Sequence, residues 1–215
     1  MSISVVIWDW NGTILDDLSV SLDAVNYILA NRALPPMDRD TYYDCLDTPI
    51  IKFYQRALTR EDVPFEEISF EFNDYYKKHI DEIGLTNGIK DIIYSLKKMG
   101  IPQMIISASH ISYIESALSG FGLDGCFEKI IAAEDYNAGS KVDRAEAYLD
   151  LADIAKNGRI VIGDTLHDYD MAQRIGAECI LLTTGHEGRQ KLEKTGAKVL
   201  DKLTLEDILQ CEDLK

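Results

Sequence analysis

The chain is short of basic residues, of paired cysteines and of long apolar runs, and each shortage excludes something. Lys and Arg number 22 against 37 Asp and Glu, a formal net charge of −15. A field of that sign repels nucleic acid and anionic membrane, so neither is expected as a partner. No stretch approaches the roughly 18 consecutive apolar residues of a spanning helix. The opening MSISVVIWDW carries no basic region, so no signal peptide is read there. Cys45, Cys126, Cys179 and Cys211 lie far apart with no C-x-x-C, which predicts free thiols in a reducing, cytoplasmic setting rather than disulfides or zinc. His79, His110, His167 and His186 form no ligand pair at helical spacing.

What remains is a chain of 215 residues, 46% hydrophobic, enough for one sizeable core or for a core domain with an insertion. Short apolar runs recur with turn residues behind them: Ile3 to Trp8, Gln103 to Ser107, Lys129 to Glu134, Arg159 to Asp164, Cys179 to Gly185 and, more weakly, Ala197 to Leu200. Runs apolar on both faces suit a parallel sheet covered by helices. Between them, Ile89, Ile92, Ile93 and Leu96 share one helical face, as do Ile111, Ile114 and Leu118. Strand–helix alternation of this kind predicts a doubly wound α/β fold with right-handed crossovers.

One interval breaks the rhythm. The first two runs stand much farther apart than a single crossover helix requires. The intervening sequence is helical in character, with Leu22, Val25, Ile28 and Leu29 on one stripe. Residues 16–83 are therefore expected to form an inserted helical cap, with 1–15 and 84–215 making the α/β core.

In open α/β sheets, ligands collect where strands end. The first run ends at Asp9 and the second at Ser107; the fourth ends at Gly163-Asp164-Thr165, with Asp168 and Asp170 just beyond, while Lys141 opens a helix. Singly, each has a structural reading: a turn, a helix cap or a solvated lysine. Together they suit phosphoryl transfer. A carboxylate can attack phosphorus. Magnesium takes hard oxygen ligands such as carboxylates and a backbone carbonyl. A hydroxyl, backbone N–H groups and a lysine can hold phosphoryl oxygens as charge develops on them.

These motifs resemble the haloacid dehalogenase superfamily, in its phosphoglycolate phosphatase-like and β-phosphoglucomutase-like branch with a helical cap. DWNGT is similar to the family's D-x-D-G-T, which makes Asp9 the nucleophile. IISAS resembles the second motif, with Ser107 and the neighbouring Ala108 as phosphate-binding positions. Lys141 matches the third, although Val142 stands where proline is frequent. GDTLHD is similar to the fourth. The resemblance implies Mg²⁺ held by Asp9, Asn11 and Asp164, with Asp168 and Thr13 behind them. It also implies a cytoplasmic hydrolase acting on a small phosphorylated metabolite; the oligomeric state, monomer or homodimer, is left open.

Asn11 departs from the pattern. The family's phosphatases usually carry an aspartate there, as general acid and then base, whereas an amide exchanges no proton at neutral pH. Loss of such a group costs ~10²–10⁴-fold in rate. Reduced activity is therefore expected, and Asn11→Asp is expected to restore the acid. Alternatives are a weakened phosphate-binding protein, a phosphomutase, or a phosphonate hydrolase, the last needing a cap lysine such as Lys52. Thr48, Lys52 and Arg56 could reach substrate from the cap, but a plain helix surface is the better reading of each. Trp8 and Trp10 are expected to pack, and His110 and His167 to have hydrogen-bonding or solvent roles.

Overall fold

A computed structural model of the protein describes residues 3–133, 141–152 and 154–213. Its strands are β1 (Val5–Trp8), β2 (Leu15–Asp16), β3 (Gly84–Leu85), β4 (Gln103–His110), β5 (Lys129–Ala133), β6 (Arg159–Gly163), β7 (Glu178–Leu182) and β8 (Lys198–Leu200). Its α-helices are α1 (Leu18–Ala30), α2 (Arg39–Cys45), α3 (Ile51–Ala57), α4 (Phe65–Lys78), α5 (Ile89–Lys98), α6 (Ile111–Phe121), α7 (Lys141–Leu151), α8 (Leu166–Ile175), α9 (Arg189–Leu192) and α10 (Leu205–Leu209).

Six strands form one parallel sheet in the order β5-β4-β1-β6-β7-β8. Side chains alternate across a strand, so β1 feeds two cores. Val6 and Trp8 join Ile105, Ile162, Ile93, Leu96 and Ile114 on one face; Val5 and Ile7 join Met104, Val161, Leu149, Met171 and Ile175 on the other. All four β1 residues are buried, as apolar residues between two helical layers must be. The α/β expectation holds, with all six sequence runs in this sheet.

The inserted helices α1 to α4 lie between β2 and β3 and carry their own core of Leu18, Val25, Ile28, Leu29, Tyr42, Phe53, Tyr54 and Ile68. Two details differ from the sequence reading. The chain entering and leaving these helices pairs with itself as the antiparallel β2 and β3, a two-residue ladder too short to leave a periodic signal. The second run continues past Ser107 to His110, through a register shift between Ile106 and His110 that lets β4 follow β5. Among the described residues no helix is long and apolar enough to cross a membrane.

Candidate active site

β1 is the middle of the site because both neighbours pair with it: Trp8 is level with Ile105 of β4 and with Ile162 of β6. The carboxyl ends of three strands therefore meet, and Asp9, Ser107 and Asp164 follow from that register. The Asp9 amide donates to Ile162 O at 2.9 Å. Oxygens of Asp9, Asp164 and Asp168 lie within 4.8 Å of one another, and all three residues are buried.

Two of the acids, Asp164 and Asp168, are oriented by donors from Thr13, His186 and Thr165. Asp164 accepts from Thr13 Oγ1 at 2.9 Å and from the His186 amide at 2.7 Å. Asp168 Oδ2 accepts from the amides of Asp164 and Thr165 at 3.2 and 3.0 Å, and from Thr165 Oγ1 at 2.6 Å. This makes Asp168 the capping-box acid of α8 as well as a member of the cluster. Burial pushes the Asp164 carboxyl well above the usual range; nearby His186 opposes the shift, while the charges of Asp9 and Asp168 add to it. A site that crowds hard oxygen donors in this way suits a divalent cation such as Mg²⁺.

Three glycines make room for the cluster, Gly163 for Asp168 and Gly12 and Gly185 for Asp164. Gly12 has φ of +70°, and a Cβ there would overlap the Asp164 carboxylate and come within 2.8 Å of His186 Cδ2. A Cβ at Gly185 would also strike Asp164. The glycine of DWNGT is thus required by close approach as well as by its turn.

Ser107 is buried at the same edge, and its Oγ accepts from the Ser109 amide at 3.0 Å. Ala108 is exposed. Lys141 is the first residue of α7, and its side chain lies outside the described part of the structure. Three residues further along that helix, Arg144 Nη2 donates to Ser107 O at 3.2 Å, tying the start of α7 to the end of β4.

A further buried carboxylate, Asp17, lies outside the residues that the motifs single out. Asn11 Nδ2 donates to Asp17 Oδ2 at 2.7 Å and to the Tyr76 hydroxyl at 3.0 Å, and that hydroxyl donates to Asp17 Oδ2 at 2.8 Å. Asn11 Oδ1 accepts from Ser109 Oγ. The other oxygen of Asp17 accepts from the Gly12 amide at 2.7 Å and from His186 Nε2 at 3.1 Å, while His186 Nδ1 is hydrogen-bonded to the Tyr42 hydroxyl at 3.0 Å. Burial alone would raise the Asp17 carboxyl, but the His186 charge and the bonds from His186, Asn11 and Tyr76 outweigh it and hold the carboxyl low. Burial disfavours the charged imidazole; Asp17 beside it, with Asp164 and Asp9, nevertheless raises His186 to about 9.

His186 could have been found by rule, since it follows the carboxyl end of β7 as Asp164 follows that of β6. Tyr42 and Tyr76 carried no such signal, because only the packing of the inserted helices brings them here. Asn11→Asp would set a second carboxylate at the position now 2.7 Å from Asp17 Oδ2. Other readings hold. Trp8 and Trp10 are buried, and Trp8 Nε1 donates to Gln103 Oε1 at 3.1 Å. His110 caps α6, accepting from the Ser112 amide. Lys52 donates to Thr48 O at 3.0 Å and Arg56 pairs with Asp47 at 2.5 Å, on the surface of the insertion.

Known proteins can be set beside this geometry. Phosphoglycolate phosphatase 1 of Pseudomonas aeruginosa is 25% identical, across 97% of this chain and 79% of its own length. Tyrosine-protein kinase PtkA of Mycobacterium tuberculosis is 24% identical, across 91% of this chain and 67% of its own. The crystal structure of a predicted phosphatase from Clostridium acetobutylicum superposes with a TM-score of 0.81 at 21% identity, covering 100% of this chain and 99% of that one. CbbY from Rhodobacter sphaeroides, in complex with xylulose-1,5-bisphosphate, gives a TM-score of 0.73 at 23% identity over 93% of this chain and 94% of its own. The family model described as haloacid dehalogenase-like hydrolase matches residues 6–182. That span runs from β1 to β7 and takes in all three clustered acids, Ser107 and the inserted helices. The chain belongs to the haloacid dehalogenase-like hydrolases.

Proposed function

We propose that the protein is a magnesium-dependent phosphatase for a small phosphorylated metabolite, of the phosphoglycolate phosphatase type, working through a phosphoryl group carried on Asp9. The observation that carries this reading is the meeting of Asp9, Asp164, Asp168 and Ser107 at one sheet edge. Residues 1–15 and 84–215 form the catalytic core, and residues 16–83 form a cap over it. The substrate class rests on the relatives: several bear the name phosphoglycolate phosphatase, and CbbY holds a sugar bisphosphate.

Asp9, the Asn11 carbonyl and Asp164 would hold Mg²⁺, with Asp168 and Thr13 orienting Asp164. The bound ion supplies positive charge that offsets these carboxylates and the phosphoryl group. An Asp9 oxygen attacks phosphorus, and the bond to the leaving oxygen breaks as the phosphoryl group passes to Asp9. Ser107 Oγ, the Ala108 amide and the Lys141 ammonium bind the equatorial oxygens, where charge develops. Water then attacks phosphorus, releasing phosphate and regenerating Asp9. Asn11 can hydrogen-bond but cannot protonate a leaving alkoxide. Slow turnover, with a preference for acyl or aryl phosphates over alkyl phosphates, follows from that substitution. A phosphonate reading lacks support, since Lys52 is engaged by Thr48 O and lies 3.8 Å from Asp47.

The test is a screen of phosphorylated metabolites, phosphoglycolate among them, with magnesium and with a chelator. Magnesium-dependent phosphate release that disappears in Asp9→Asn is expected. Release that persists in Asp9→Asn at the parental rate would overturn the assignment.

A further inference from the structure

The departure at Asn11 is not isolated. Asp17 stands 2.7 Å from it, buried, and receives five donors: the Asn11 amide, the Gly12 N–H, the Tyr76 hydroxyl, His186 Nε2 and, at 3.4 Å, Ser21 Oγ. The Asn11 amide is fixed on both sides, donating to Asp17 and Tyr76 and accepting from Ser109. A carboxylate accepts at both oxygens, whereas an amide accepts at one end and donates at the other. One of each closes this network. Two of either kind do not: two carboxylates would put oxygen against oxygen, and two amides would turn an NH₂ either toward the other amide's NH₂ or toward Gly12 N–H and His186.

We propose that Asn11 and Asp17 form a matched amide–carboxylate pair, in which Asp17 is the positioning residue that holds the Asn11 amide and the Gly12 turn beside Asp9. The buried carboxylate beside the nucleophile turn stands at position 17, where the Tyr76 hydroxyl and His186 Nε2 contact it. Asp17 acts through Asn11 and Gly12, whose side-chain amide and backbone N–H donate to it. Its bond to Tyr76 also couples that alignment to α4 of the insertion. The inference deepens the phosphatase reading and rests on it for its kinetic arm, while its thermal arm needs no substrate.

The test is a double-variant cycle of Asn11→Asp, Asp17→Asn and the exchange Asn11→Asp/Asp17→Asn. Melting temperature is read without ligand, and kcat and KM are read with p-nitrophenyl phosphate and magnesium. Each single variant should melt lower by about 5 °C or more, and the exchange should recover most of that loss. Asp17→Asn should lower kcat by about tenfold or more with KM within about twofold, as misalignment of a reacting turn does. The exchange should restore kcat. If the losses in the exchanged protein equal the sum of the single losses, the two positions are independent and the proposal fails. If Asp17→Asn does not fold, an exchanged protein that folds supports the proposal and one that does not overturns it. A parent inactive on every phosphate ester would sink the phosphatase reading, and the melting cycle would still decide whether the two positions are coupled.

Discussion

Asp164 and Asp17 are both buried carboxylates at the same edge of the sheet, both contacted by His186, and the chain treats them in opposite ways. Asp17 faces the His186 imidazole and hydroxyl and amide donors, so its charge is matched within the protein and its carboxyl is held low. Among the described residues, Asp164 accepts from the His186 backbone N–H and Thr13 Oγ1, while Asp9 and Asp168 crowd it and burial drives its carboxyl up. A carboxylate satisfied internally holds structure together. One pressed against like charges is arranged for a cation from outside.

The sharpest break of this contrast is at the nucleophile. Asp9→Asn should lower turnover by ~10⁴-fold or more while leaving the melting temperature unchanged or higher, since it removes one like charge from the cluster. Phosphate release at the parental rate would remove Asp9 from its role. Removing magnesium should be nearly as severe for rate, with activity returning on readdition of Mg²⁺; full activity in excess chelator would contradict it. At Asp17 the effect should fall on stability instead. His186→Ala strips a buried carboxylate of its charged partner and should cost ~3–5 kcal/mol, read by denaturant unfolding. A loss below ~1 kcal/mol would place this pair among weak surface pairs. Gly12→Ala should cost ~1–2 kcal/mol for the left-handed backbone alone and more from overlap of the new methyl with the Asp164 carboxylate, with a loss of magnesium affinity beside it.

The smallest effect expected is in the pH dependence. The folded value of His186, about 9, lies above its ordinary 6.5, so its contribution is complete below 6.5 and fades as pH rises through 9. Asp164 is also raised, so the metal-free protein loses stability as pH climbs above 3.8, where an unperturbed carboxyl would ionise. Magnesium should counter the second loss and leave the first. Melting curves should therefore show a larger magnesium shift at neutral pH than in mild acid, and His186→Gln should flatten the alkaline slope. Equal magnesium shifts at both pH values would remove the contrast.

The legible and illegible parts of the site divide along the same line. Asp9, Ser107 and Asp164 could be read because each ends an apolar run, and a parallel register brings strand ends together without further information. Asp168 could be read because it follows Asp164 by one helical turn. Asp17 could not, although it lies in ILDD directly after the motif, because nothing local distinguishes it from the exposed Asp16 beside it. Its burial depends on Tyr76 and His186, which lie 59 and 169 residues away in the chain. Asn11 therefore read as a missing acid, whereas the fold shows it bonded to a carboxylate six residues on. The β2–β3 pair was hidden for a similar reason, its two partners being separated by the whole insertion.

The central claim is that Asp9 carries the phosphoryl group in turnover, and it can be tested by trapping. The protein is mixed with p-nitrophenyl phosphate and magnesium, quenched in acid within the first turnovers, and digested for peptide mass spectrometry. With no general base at position 11 to speed water attack, the phosphoryl enzyme should accumulate. The expected result is one phosphoryl group on the peptide containing Asp9, absent from Asp9→Asn and from samples quenched before magnesium is added. Rapid nitrophenol release with that peptide unmodified, and with Asp9→Asn equally active, would contradict it.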